Sequence, residues 1–269
     1  MALIKGIYRY LNLFGLLMKI GLLRQMAYRF NFCMMIGGKL IRMTLLFFFY
    51  QAIFSKVSRI GQWGYDDVLL LFATFHLVDY LMSITFQRNL AFLLPRRIQS
   101  GELDARMVLP VNLLFLAALE DIDMIDFFSF IPSLSFLVYV ICRMQLTFTW
   151  LQLLLYLVLI VNALVFLFAV VLAIAAISFW TTQSQGIAKI FDNLLRISRY
   201  PLDIFEGFWR TLFIYILPLV LVAQLPSQAL LKAISPLAVL AALAGSGLFL
   251  IAALILWKAG LRTYTSASS

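Results

Sequence analysis

Long apolar runs separated by short charged stretches set the pattern of this chain. Runs such as Leu153–Ile160 and Ala163–Ile177 show no alternation of polar and apolar positions, so they read as helices that are apolar all round. A helix of roughly 20 residues crosses a bilayer. Stretches near that length predict spans at Phe32–Phe54, Asp67–Gln87, Met124–Ile141, Trp150–Phe179 and Pro236–Trp257. The fourth is long enough to tilt or to protrude. Residues 3–24 obey a different rule. Ile4, Ile7, Leu11, Phe14, Met18 and Leu22 recur at steps of three or four, while Lys5, Arg9, Asn12 and Lys19 fall largely elsewhere on the wheel. That pattern predicts an N-terminal amphipathic helix over 1–29, lying in the membrane interface or packed on the rest of the protein. It does not read as a signal peptide, because Lys19 interrupts a short apolar stretch and no small-residue cleavage site comes after it.

Residues 181–206 break the pattern. Lys189, Asp192, Arg196 and Arg199 would each cost about 3 kcal/mol at the bilayer centre. Hydropathy therefore predicts a cytoplasmic amphipathic helix here and a fifth span at Phe208–Gln224. Pro218, Pro226 and Pro236 punctuate the chain between this stretch and the last span, which also fits a re-entrant hairpin there.

Composition turns the pattern into a fold class. The chain has 269 residues, 64% of them hydrophobic and 12% charged, with a mean hydropathy of +1.00. A soluble domain of this size cannot hide so much apolar side chain, so lipid must act as the solvent. In lipid every backbone polar group is paired internally, which leaves helices or a closed barrel. A barrel would alternate polarity in segments of about ten residues, and these runs do not. The class is all-α: a single polytopic domain over 1–269 with six transmembrane helices.

The net charge of +9 then reads as topology and contact with anionic lipid head groups rather than nucleic-acid binding. With the N-terminus inside, the cations of Lys5–Arg29, Arg88–Arg106, Lys189–Arg199 and Lys258–Arg262 are inside. Lys56, Arg59, Arg143 and Lys232 are left outside. This bias predicts a multi-pass membrane protein with both termini cytoplasmic.

Candidate chemistry is sparse. There is no phosphate-cradling loop, because Gly37-Gly38-Lys39 is followed by Leu40 inside a span. One histidine and two distant cysteines, Cys33 and Cys142, predict no metal site and no disulfide. No catalytic constellation emerges. Glu120, Asp121, Asp123 and Asp126 read as a solvated boundary at the start of the third span. Four polar residues fall inside spans: Lys39, Arg42, His76 and Asp79. His76 and Asp79 are three apart and share a helix face. At 1.5 Å per residue, Lys39 and Asp79 lie about 15 Å and about 13.5 Å from the inner ends of their helices. This predicts that Lys39 or Arg42 pairs with Asp79, the alternative being that the cations snorkel.

Between the second and third spans, 88–112 is a polar segment containing RRIQSGELDARMVLP over Arg96–Pro110. A short charged helix over Glu102–Leu109 is expected there, capped by Ser100, with Glu102 and Asp104 at its positive end. Gly101-Glu102-Leu103-Asp104, with Pro110 at fixed spacing, resembles a motif of the permease subunits of type-2 ABC exporters. So does Arg199-Tyr200-Pro201-Leu202-Asp203, with Trp209-Arg210, Pro218 and Pro226 after it. The order of amphipathic helix and spans fits the same family over nearly the whole chain. Arg106-Met107 and Leu109 depart from its usual pattern.

The resemblance implies that 88–112 holds a coupling helix pressed by separate cytoplasmic ABC ATPase subunits. Those subunits would carry the ATP and Mg, with no cofactor in this chain. It implies a bacterial inner-membrane protein, a second copy or a related permease chain, and export; the 25 Phe residues and the little charge in the spans point to an amphipathic or lipid-linked substrate. It also places the fifth span at 183–200 and a hairpin at 207–228, against hydropathy. The alternative is an ion-coupled carrier or a membrane enzyme with no ATPase.

Overall fold

The structure, a computed structural model, describes residues 2–26, 29–181 and 184–264, all of them helix or short connection apart from one isolated bridge between Ile60 and Trp63. Helix α1 covers Ala2–Met26 and α2 covers Arg29–Phe54. Helix α3 (Tyr65–Met82) continues through two widened π turns, Ser83–Gln87 and Asn89–Leu93, into α4 (Leu94–Gln99). After α5 (Glu102–Met107) and α6 (Leu113–Leu119) come α7 (Met124–Arg143) and α8 (Trp150–Ile177). Helix α9 (Ser184–Leu195) runs into a 3-10 turn at Arg196–Arg199. The short α10 (Gly207–Thr211) and α11 (Gln224–Leu231) precede α12 (Pro236–Thr263).

Five helices among the described residues are long and apolar enough to cross a membrane, consistent with the expected all-α polytopic fold, and they match five of the six expected spans. They are Phe32–Phe54, Tyr65–Gln87, Met124–Arg143, Trp150–Ile177 and Pro236–Thr263. Phe208–Gln224 is not a fifth span, because its helix breaks at Leu217 and Pro218. α9 with its 3-10 turn is helical over most of the alternative 183–200, of which Gln183 lies outside the described residues. Its length is about 26 Å, short of a hydrocarbon core of about 30 Å.

α3 is the central element. Every residue from Val68 to Val78 is buried. α8 and α12 pack along each other, with Phe166 on Phe249 and Phe179 on Trp257. The Phe179 ring lies where a Cβ on Gly260 would be, so only glycine permits this approach. α2 is almost bare, with Tyr50 its one fully buried residue over Phe32–Phe54.

The second span does not end in a loop at Gln87. Tyr65 to Gln99 is one unbroken helical run of about 50 Å, so it projects well beyond the bilayer. Its widened turns have local causes. Thr85 Oγ1 donates to Leu81 O, Asn89 Nδ2 donates to Thr85 O, and Pro95 has no N–H to continue the ladder. This projecting end, with α5 and the start of α7, forms the charged end of the molecule. The region around Pro201 forms the far end.

Helix α1 packs Phe14, Leu17, Met18 and Leu22 onto Ile84, Ile122 and Met124 at the charged end. Gly21 passes so near the backbone that a Cβ would sit 2.9 Å from Ile122 O. Leu11, expected on the packed stripe, is exposed together with Leu16 and Leu23. The side chains of Ile4 and Ile7 lie outside the described residues.

Candidate functional site

Two polar assemblies stand out. The first is built around α5. Its N-cap is not Ser100 but Gly101, at φ +74°, with no side-chain cap. That left-handed conformation strains any residue with a Cβ and suits glycine. The turn lets the chain reverse from α4 into α5. Leu103 is buried beneath α5, while Glu102, Ala105 and Met107 face outward. The helix ends at Met107 rather than Leu109, and Met107, Val108 and Leu109 form an exposed apolar tip.

Charges hold this helix in place. Arg106 donates to both oxygens of Glu120, at 2.7 and 3.0 Å, and to Glu102 O at 2.8 Å. Arg97 lies 2.9 Å from the same Glu120 carboxylate and within 4.0 Å of Asp121. Asp121 also pairs with Arg24 of α1, and Asp123 lies 3.6 Å from Arg88. The bond to Glu120 first, and the surrounding carboxylates after it, raise the Arg106 pKa. Burial first lowers that of Arg97, against the pull of Glu120. Helix α1 joins in: Arg9 donates to Pro110 O at 2.9 Å, and Tyr10 stacks edge-on against Phe115. At the end of α12, Tyr264 sits beside Asp104. Partial burial first and that carboxylate second raise its phenol pKa. The acidic segment 120–126 is therefore not a solvated boundary. It is the anchor of an ion-pair network.

The second assembly is a cavity of about 180 Å³ among α2, α3, α7 and α9. The in-span residues singled out in the sequence, Lys39, Arg42, His76 and Asp79, all line it. The expected pairing is corrected, however: Lys39 binds Asp126 of α7, not Asp79. Asp126 sits two residues into its helix, close enough to meet Lys39 head-on. Asp79 makes no ion pair within 4 Å among the described residues and faces Asp126, Asp192 and Arg196 across the cavity. His76 lies 3.0 Å from Phe72 O, so Nδ1 donates there, and Nε2 makes no hydrogen bond among the described residues.

Asp192, Arg196 and Arg199 also line this cavity, instead of a cytoplasmic surface. Their steps of four and three put them on one helix face. The same spacing joins His76, Asp79, Ser83 and Gln87, and Gln87 donates to Asp192 at 2.8 Å. This periodicity was the available signal, and averaging over a hydropathy window concealed it.

Tyr200, Pro201, Pro218 and Pro226 belong to neither assembly. They shape the far end, where Pro201, Pro218 and Pro226 are buried. Trp63 donates to Asp203 at 2.7 Å, and Gln224 accepts from Leu202 N at 2.9 Å.

The comparison with protein families decides what this scaffold is. A family model described as ABC-2 family transporter protein matches residues 40–268. The chain belongs to that family. No curated protein matches it. The ABC-2 match covers α3 to α12 and most of α2, so it includes the α5 platform and all of the cavity except Lys39. Helix α1 lies outside it. Membership makes the chain an integral membrane protein and a permease subunit of an ABC transporter.

Proposed function

We propose that this permease exports an amphipathic or lipid-linked substrate, driven by separate ATPase subunits that press on α5. The charged end is then cytoplasmic and both termini are inside. The observation that carries this reading is the mounting of α5. It stands at the tip of a helix that projects past the bilayer, and Glu120, in the segment leading into α7, pairs with both Arg106 of α5 and Arg97 of α4. A push on α5 is thereby delivered to α3 and α7, which both line the cavity. The exposed tip Met107-Val108-Leu109 offers an ATPase an apolar contact beside the charge of Glu102. The uncovered length of α2 supports pairing with a second permease chain, alike or related. ATP and Mg belong to the ATPase in this reading.

The test changes Glu102→Arg, Leu103→Gly and Asp104→Arg separately and measures transport, ATP hydrolysis and ATPase co-purification. Uncoupled hydrolysis or loss of the ATPase from a normally inserted permease is expected. Normal transport and normal assembly in all three variants would reduce α5 to a turn.

A further inference from the structure

The cavity contains charges of both signs that have not used each other. Lys39 is taken by Asp126, and Asp192 is held by Gln87. Arg42 and Arg199 flank His76 and make no ion pair among the described residues. The Nε of Arg199 is buried with no hydrogen-bond partner. Asp79, on the face of α3 one turn further toward the charged end, also has no counter-ion within 4 Å. Charges at this depth ordinarily pair or face a polar occupant. A volume of about 180 Å³ has room for roughly six water molecules or one small head group. Arg42 and Arg196 are exposed, so the cavity opens between α2 and α9. Next to it, an apolar groove lined by Leu40, Phe47, Pro132 and Phe136 shares Met43 as a wall.

We infer that this cavity is a binding site for a zwitterionic head group, its oxyanion on Arg42 and Arg199 and its ammonium on Asp79. A plain anion would leave Asp79 facing it, and a plain cation would leave Arg42 and Arg199 unanswered, while Arg196 lies across from Asp79 and Asp192. A group carrying both charges satisfies all three, and a tail attached to it meets the apolar groove past Met43. The inference rests on the transport reading for its purpose but not for its test, which needs neither ATPase nor transport.

The test is native mass spectrometry of the purified full chain in detergent, titrated with three lipids of matched acyl chains. Phosphatidylethanolamine carries both charges, phosphatidylglycerol the oxyanion alone, and a trimethylammonium-propane lipid the cation alone. Preferential retention of phosphatidylethanolamine, at least five-fold over either other lipid, is expected. Arg199→Gln and Arg42→Gln should each lower that retention about ten-fold. Asp79→Asn should abolish the preference over phosphatidylglycerol, and Asp79→Glu should keep it. Unchanged helicity and melting in each variant separate a lost site from a lost fold. Competition by soluble O-phosphoethanolamine identifies a free head group as sufficient, and its failure to compete identifies a lipid. Tighter retention of phosphatidylglycerol, or equal retention of all three lipids unaffected by these substitutions, overturns the site. Zwitterion selection without any ATP-dependent transport would overturn the transport reading and leave the site standing.

Discussion

The charged end and the intramembrane cavity are built from the same residue types to opposite ends. At the charged end the principal charges are matched. Glu120 serves both Arg97 and Arg106, and Asp121 serves Arg24 and Arg97. In the cavity Arg42, Arg199 and Asp79 face one another without pairing. A matched network has one low-energy arrangement and transmits force as a rigid body. An unmatched set in low dielectric keeps its electrostatic energy available for something that enters. In the proposed reading the difference separates a lever from a site, and substitutions can test it from the largest expected effect to the smallest.

The largest effect should come from Asp126. Asp126→Asn strands Lys39 in the bilayer, and losing one partner of a buried pair costs about 3 kcal/mol or more. Lys39→Asp with Asp126→Lys should restore much of the lost melting temperature. A double variant no better than the singles would mean that the pair does not hold α2 to α7. Glu120→Ala should come next, at about 3 kcal/mol, because it leaves Arg97 buried with only the distant Asp121. Urea or thermal unfolding of the detergent-solubilised chain reads this, and ATPase coupling should fall with it.

Asp79→Asn should behave in the contrary way. With no ion pair to lose, its stability should change by less than about 1 kcal/mol, while transport drops. A destabilisation as large as that of Asp126→Asn would erase the distinction between lever and site. Gly101→Ala should cost about 1–2 kcal/mol, since φ +74° brings its Cβ against the following carbonyl. Its coupling defect should exceed its folding defect. The smallest effect on transport should be that of Trp63→Phe, which removes one hydrogen bond to Asp203 at the far end and acts on stability alone. About 1.5 kcal/mol is expected, with coupling untouched.

Legibility in the sequence divides along the same line. Five spans could be read within a few residues, because a helix solvated by lipid must be apolar all round and its ends are marked by charge or by caps such as Thr149 and Ser235. The cavity was half legible. Lys39, Arg42, His76 and Asp79 stand out against an apolar background, and all four line it. Asp192, Arg196 and Arg199 were visible but read as a cytoplasmic surface, because several charges in a short stretch lower its hydropathy to that of a surface helix. Pairing was not legible either. The depth argument matched Lys39 with Asp79, but Asp126 reaches Lys39 from a third helix whose position relative to α2 is a tertiary fact. The α5 platform was visible as a motif, while the helical continuation to Gln99 that carries it was hidden by the polarity of residues 88–99.

The central claim, that α5 receives the stroke of an ATPase, is tested most directly by site-specific photocross-linking in native membranes. A photoreactive residue replaces Val108 at the tip of α5 and, as control, Leu240 near the start of α12, both of which are exposed. Val108 should capture an ATP-binding subunit in high yield, the yield should change when ATP is trapped, and Leu240 should capture none. Absence of any ATP-binding subunit at Val108, or sustained ATP turnover by the purified chain alone, would contradict the account.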